Sequence, residues 1–241
     1  MLFQDTLVLS NRCSLQCMRC SLWNDSNDDL NDTLAESVLD DLINANKDGS
    51  YSSPAIVNVV GGEPFLEPRL LSILQLLRAM NKKNRVWTNG VGVLSVFEQI
   101  YSFIDSLVVF LPTYQSNDYI DVTGRDGWSE VNAFIEFSRD LSIPLLITTI
   151  ARPETIQWLP ELYEVICYRH QLPFVIQYFE SEPWSTDSIA FIDRYRWIKR
   201  VGVVKRSDAL PHICPAVGKT GAIWSDQWRF WWAETVQTRL I

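Results

Sequence analysis

Three cysteines, Cys13, Cys17 and Cys20, fall within eight residues at the spacing Cys-x3-Cys-x2-Cys. Thiolates are soft donors, and three together suit an iron–sulfur cluster or zinc. A four-iron cubane held by three thiolates keeps one iron without a protein ligand. That open iron can bind and activate a second molecule. A closed zinc site needs a fourth Cys or His nearby, and the next cysteine in the chain is Cys167. A redox pair made of Cys17 and Cys20 is the other use of the spacing.

Two further segments carry groups suited to ligand contact. The apolar run Ile56-Val57-Asn58-Val59-Val60 opens directly into Gly61-Gly62-Glu63-Pro64. Glycines after a strand let backbone approach a ligand closely, and Glu63 offers an acceptor for an ammonium group. An ordinary strand-to-helix turn would use the same residues. The run Arg85-Val86-Trp87 leads into Thr88-Asn89-Gly90, which alone reads as a turn.

The order and intervals of these three segments resemble the radical S-adenosylmethionine (SAM) family. The resemblance implies that Cys13, Cys17 and Cys20 ligate one 4Fe-4S cluster and that SAM chelates the open iron. In that family an electron from the cluster cleaves SAM to methionine and a 5′-deoxyadenosyl radical, which takes a hydrogen from the substrate. Gly61, Gly62, Glu63 and Asn89 are the implied SAM contacts, with Glu63 at the amino group. Arg125, in Thr123-Gly124-Arg125-Asp126-Gly127, resembles the Arg-Gly segment of peptide-modifying relatives, where an arginine faces the SAM carboxylate. A solvated loop arginine is the plainer reading. A reduced flavodoxin- or ferredoxin-type electron donor is the implied partner.

The chain departs from the family pattern in places. Arg19 stands before the third cysteine, where relatives more often carry an aromatic ring against the adenine. Phe110-Leu111-Pro112-Thr113 stands where many peptide-modifying relatives have Ser-Leu-Asp-Gly. His212 and Cys214 resemble the start of an extension that binds auxiliary clusters in those relatives, but no further cysteine follows. A cluster-free remnant is expected, with a labile extra metal site as the alternative. The resemblance leans toward a peptide or protein substrate, with a small molecule or nucleotide next. A cluster-binding regulatory protein without turnover is the non-enzymatic alternative.

Such groups need a scaffold. The chain reads as six strand–helix alternations. A capping box, Thr33-x-x-Glu36, starts a helix with Leu34, Val38, Leu39, Leu42 and Ile43 on one face and Gly49 as its stop. Helices are expected from near Pro68, over about 93–103, 128–139, 155–169 and 187–199. Strands four to six are expected at 107–111, 145–150 and 174–178. Repeated βα units with apolar strands imply a parallel sheet with right-handed crossovers. The fold class is α/β: a partial (β/α)6 TIM-like barrel over 1–204 and a Trp-rich C-terminal extension over 205–241, expected as a small β-hairpin cap. Sites in parallel barrels lie at the carboxyl ends of strands, which makes Thr113, Thr148, Thr149, Gln177 and Tyr178 cavity candidates or simple sheet caps.

Bulk properties agree with one sizeable core. The chain has 241 residues, 47% of them hydrophobic, and a net charge of −8. That charge opposes broad nucleic-acid binding. No apolar run approaches a membrane span, and no secretory signal is seen, so a cytoplasmic location is expected. Cys167 lies among Leu162, Val165 and Ile166 and is expected in the core. Trp224, Trp228, Phe230, Trp231 and Trp232 are expected to cover the barrel's open side or to meet substrate. Arg196, Lys199 and Arg200 are expected on one helical face, a solvated surface or a dock for the acidic electron donor.

Overall fold

Short apolar runs bounded by turn residues become the strands of one parallel sheet. The computed structural model describes residues 4–18, 20, 36, 39–44, 47, 56–179 and 182–206. Its strands are β1 (Gln4–Val8), β2 (Ile56–Val60), β3 (Lys83–Thr88), β4 (Ser106–Phe110), β5 (Leu145–Ile150), β6 (Phe174–Phe179) and β7 (Val201–Arg206). Each pairs in parallel with the next, so spatial order equals chain order. The register aligns apolar residues across the sheet, as in Leu7 with Val59, Val59 with Val86 and Val86 with Leu107.

The labelled helices are α1 (Leu70–Ala79), α2 (Leu94–Ile100), α3 (Ser116–Thr123), α4 (Trp128–Asp140), α5 (Leu159–Leu162) and α6 (Thr186–Arg194). Period 3.6 sends Ile73, Leu74 and Leu77 of α1 inward, each 0% exposed. Burying side chains of this size contributes roughly 1.5–3 kcal/mol apiece. Phe97 of α2 and Phe134 of α4 meet at 4.8 Å between ring centroids and join this layer. Alternate strand residues face the other way. Val108, Leu146 and Val175 form a separate inner cluster with Trp87 packed on it.

The partial α/β barrel expected from the sequence is thus observed, with differences of detail. A seventh strand, β7, passes through residue 204, where the core was expected to end. The stretch Val201-Gly202-Val203-Val204 is too short to declare itself; it becomes a strand because β6 offers a free edge. Helix α3 was not expected, because Ser116-Asn117-Asp118 reads as loop. The expected helix over 155–169 is wound three ways: a 3-10 turn, α5 and a π-helical stretch at Tyr163–Tyr168. Cys167 is buried in that stretch, as expected. Thr33, Leu34, Val38 and Gly49 of the first helix lie outside the described residues. So do Arg19 and 207–241, with His212, Cys214 and the tryptophan-rich tail. Among the described residues no helix is long and apolar enough to cross a membrane.

Candidate functional site

The cysteine loop leaves β1 and is held from two sides by backbone. On one side lies the end of α3. The Gln16 N–H donates to the Thr123 carbonyl at 2.9 Å, and the Met18 N–H to Val122 at 3.0 Å. Gly124 closes α3 in the left-handed region (φ 73°), and a Cβ there would stand 3.0 Å from the Gln16 carbonyl oxygen. On the other side lies the exit of β2. The Gly62 N–H donates to Ser10 at 2.8 Å and the Glu63 N–H to Arg12 at 2.6 Å. A Cβ on Gly62 would fall 2.2 Å from the Arg12 oxygen, so only glycine fits. The glycine pair therefore serves close approach to the cysteine loop itself.

Glu63 caps a 3-10 turn at Pro64–Leu66 and is fully buried. Its Oε1 accepts from the Phe65 N–H (3.3 Å) and the Thr88 hydroxyl (2.9 Å); its Oε2 accepts from the Asn89 N–H (2.8 Å). Burial lifts the carboxyl from its ordinary 4.5 to about 7, against the opposing pull of the donors from Asn89, Thr88 and Phe65. Asn89 then reaches the cysteine loop. Its Nδ2 donates to Cys13 Sγ at 3.4 Å, while its Oδ1 accepts from the Val91 N–H (2.8 Å) and the Ser14 hydroxyl (3.2 Å). The three segments singled out in the sequence form one hydrogen-bonded unit.

Cys13, Cys17 and Cys20 are partly buried and line one cavity of about 320 Å³. Burial pushes the Cys13 thiol up to about 11 and the Cys17 thiol to about 12, with neighbouring thiols adding to both. Crowded, desolvated thiols of this kind suit a bound cationic centre, which removes their protons. Among the described residues no three Cys, His, Asp or Glu side chains are drawn together tightly enough for a single metal ion.

Gly61, Gly62 and Asn89 also line the cavity; the Glu63 carboxylate and Arg125 do not. Arg125 is tied to Glu130 at 2.9 Å and touches the Ser14 carbonyl at 3.5 Å, so it braces the cysteine loop from outside. Thr113, Thr148, Thr149, Gln177 and Tyr178 are buried but line no part of the cavity. Gln177 donates to Thr148 at 2.7 Å, Thr148 to the Val175 carbonyl at 3.2 Å and Thr149 to Pro112 at 3.5 Å. Gln177, Thr148 and Thr149 thus bond within the sheet and to the loop after β4, in keeping with the plainer of the two expectations.

The rest of the lining includes Trp87, Phe110, Ile150 and Trp158, with Asp121, Arg152 and Glu154 as charged members. Sequence reasoning missed these residues because it weighed polar residues at strand ends. Period-two alternation carried the signal: Val108 and Phe110 share a face, as do Thr148 and Ile150.

The expected basic helical face does not form. Helix α6 ends at Arg194, Arg196 pairs with Asp193 (2.8 Å), and Arg200 donates to the Gln171 carbonyl (2.6 Å). These residues lead into the amino end of β7, the end of the sheet away from the cysteines.

No protein-family model and no curated protein matches the sequence. Solved structures do match. Streptococcus suis SuiB bound to its precursor peptide SuiA aligns with a TM-score of 0.66 at 14% identity, over 86% of this chain and 49% of SuiB. SuiB bound to S-adenosylmethionine gives 0.63 at 14% identity, over 86% and 48%. The fold, an α/β partial barrel on a parallel sheet, is shared with these structures. A further structure, anSMEcpe with bound AdoMet and the Cp18Cys peptide, gives 0.57 at 15% identity, over 79% and 58%. The chain spans about half the length of SuiB.

Proposed function

We propose that this chain is a radical SAM enzyme whose Cys13, Cys17 and Cys20 hold one 4Fe-4S cluster, with SAM in the adjoining cavity. One observation carries the reading: three thiols and the Gly61-Gly62 and Thr88-Asn89 segments line one cavity at the carboxyl ends of β1 to β3. When bound, cluster and SAM supply reductive cleavage of SAM and hydrogen abstraction from a substrate.

The chain's own residues position and shield. Asn89 directs an N–H at the Cys13 sulfur, which favours the thiolate. Glu63 fixes Asn89 and Thr88 from below and so acts as a positioning residue, while the backbone of Gly61 and Gly62 faces the cavity. Trp87, Phe110 and Ile150 give the cavity an apolar wall that limits water around a reactive species. Met18, 67% exposed, brings the cysteine loop to the surface, where a reduced flavodoxin- or ferredoxin-type donor would approach in the cytoplasm.

A peptide or protein is the substrate class favoured. SuiB is seen with a precursor peptide and anSMEcpe with a peptide, on the same fold. The test is anaerobic reconstitution followed by dithionite and SAM. Slow formation of 5′-deoxyadenosine without substrate supports an enzyme. A loaded cluster with no SAM cleavage would leave a cluster-binding protein without turnover.

A further inference from the structure

Away from the cysteines the cavity lining is largely apolar. Phe110 and Pro112 come from the exit of β4, Ile150 ends β5, and Trp158 stands just before α5. The charged members are Asp121, Arg152 and Glu154. Arg152 is the one cation among the described lining residues. Its charge is met by Glu182 at 2.5 Å, in a pair whose side chains are 14% and 9% exposed. Asp121 stands differently. It is exposed, so it lies where the cavity opens to water, and no described residue pairs with it.

Helix α3 gives this carboxylate no structural use. Asp121 sits in the last turn, just before the Gly124 cap. The carboxyl end of a helix carries partial negative charge and favours cations, yet this turn holds a carboxylate and no basic residue. The turn is also fixed in place. The carbonyls of Val122 and Thr123 accept from the Met18 and Gln16 N–H groups, and Val122 lines the cavity beside Asp121. A carboxylate that costs the helix stability is thus carried into the cavity on a turn bonded to the cysteine loop. Glu154, also exposed, adds a second carboxylate to the lining.

We propose that Asp121 anchors the substrate by a cationic head group while the apolar lining takes the aliphatic stem that bears it, so that the residue read is of the lysine or arginine type. This rests on the enzyme reading given above and names the substrate class of that site. Such side chains lay a methylene stem on apolar surface and keep the charge at the water boundary. An apolar lining with a carboxylate at its opening has the complementary shape and charge. An acidic side chain would meet like charge there. A purely apolar one would fill the lining but leave Asp121 without a partner.

The experiment titrates cluster-loaded protein and SAM, anaerobically in a calorimeter, with capped pentapeptides in which lysine, norleucine or glutamate is flanked by glycines. Norleucine keeps the stem and removes the charge. In wild type the lysine peptide should bind roughly tenfold more tightly than the norleucine peptide, the size of one hydrogen bond to a charged group, and the glutamate peptide most weakly. Asp121→Asn should level lysine with norleucine, and Asp121→Lys should reverse the order of lysine and glutamate. Both variants should melt no lower than wild type, because each removes a carboxylate from the carboxyl end of a helix. Equal binding of the three peptides to loaded, SAM-binding wild type overturns the Asp121 inference alone. So does a lower melting temperature of Asp121→Asn, which would reveal a structural role. A fall in SAM affinity in Asp121→Asn with peptide preference unchanged also overturns it, because the carboxylate would then serve the cofactor. Absence of iron in the wild type removes the enzyme reading first, and this inference with it.

Discussion

The two halves of the sheet end in rims built by different means. At β1 to β3 the rim is backbone against backbone. Gly62 has no room for a Cβ, and Glu63 is fixed by three donors. At β4 to β6 the rim is made of large side chains, Phe110, Ile150 and Trp158, beside the Arg152–Glu182 ion pair at 2.5 Å. The first rim is bonded directly to the cysteine loop, through Ser10, Arg12 and Asn89. The second lines the same cavity with side chains. On the proposed function, the cofactor would lie against the first rim and the substrate against the second.

That contrast breaks most sharply at the thiols. Cys13→Ala, Cys17→Ala and Cys20→Ala should each abolish the brown chromophore and the bound iron of anaerobically reconstituted protein. Cys167→Ala, buried in the core away from the cavity, should retain both. Cluster retention in the triplet variants would remove the difference between the rims.

Gly62→Ala forces a methyl group into the Arg12 carbonyl and should cost at least about 1–3 kcal/mol in denaturant unfolding, with impaired iron loading. Phe110→Ala and Trp158→Ala, on the other rim, should load iron as wild type does. Equal loading defects on both sides would show that one rim is no more rigid than the other.

Glu63 adds a pH signature to the metal-free protein. Its folded carboxyl lies near 7 against an ordinary 4.5, so the native state binds the proton more tightly than the unfolded chain. Its contribution is full below 4.5 and is lost as pH rises through about 7. Unfolding free energy measured across that window should fall with pH in wild type, and that part of the slope should vanish in Glu63→Ala. An unchanged slope would place the proton elsewhere.

The smallest effect is expected at Arg125. Its pairing with Glu130 is solvent-accessible, and such pairs contribute about 0–1 kcal/mol. Arg125→Ala should leave SAM affinity in equilibrium binding within roughly twofold, since one tenfold step needs about 1.4 kcal/mol. A tenfold loss would mean that the side chain turns to the ligand.

Much of this was legible in the chain. Apolar strands bounded by turn residues declared β2 to β6, and the cysteine spacing marked the loop that lines the cavity. Other features depend on contacts between distant segments. Gly61 and Gly62 read as room for a ligand, yet the nearest atoms belong to Ser10, Asn11 and Arg12. Glu63 read as a ligand group, but its partners are Thr88 and Asn89, some 25 residues on. Helix α3 was hidden because its residues favour loops individually; Gly124, as its left-handed cap, was the available sign. The apolar wall escaped notice because Trp87 and Phe110 read as ordinary strand residues until the sheet curls and brings its inner face together.

The central claim is that the cysteine triplet holds a four-iron cluster with one open iron. Anaerobic reconstitution followed by iron and sulfide analysis, with EPR of the reduced protein before and after SAM addition, tests it most directly. The account predicts about four irons and four sulfides per chain, as one cubane requires, and a reduced-cluster signal that changes when SAM binds. Tightly bound zinc without iron, or a cluster signal indifferent to SAM, would contradict it.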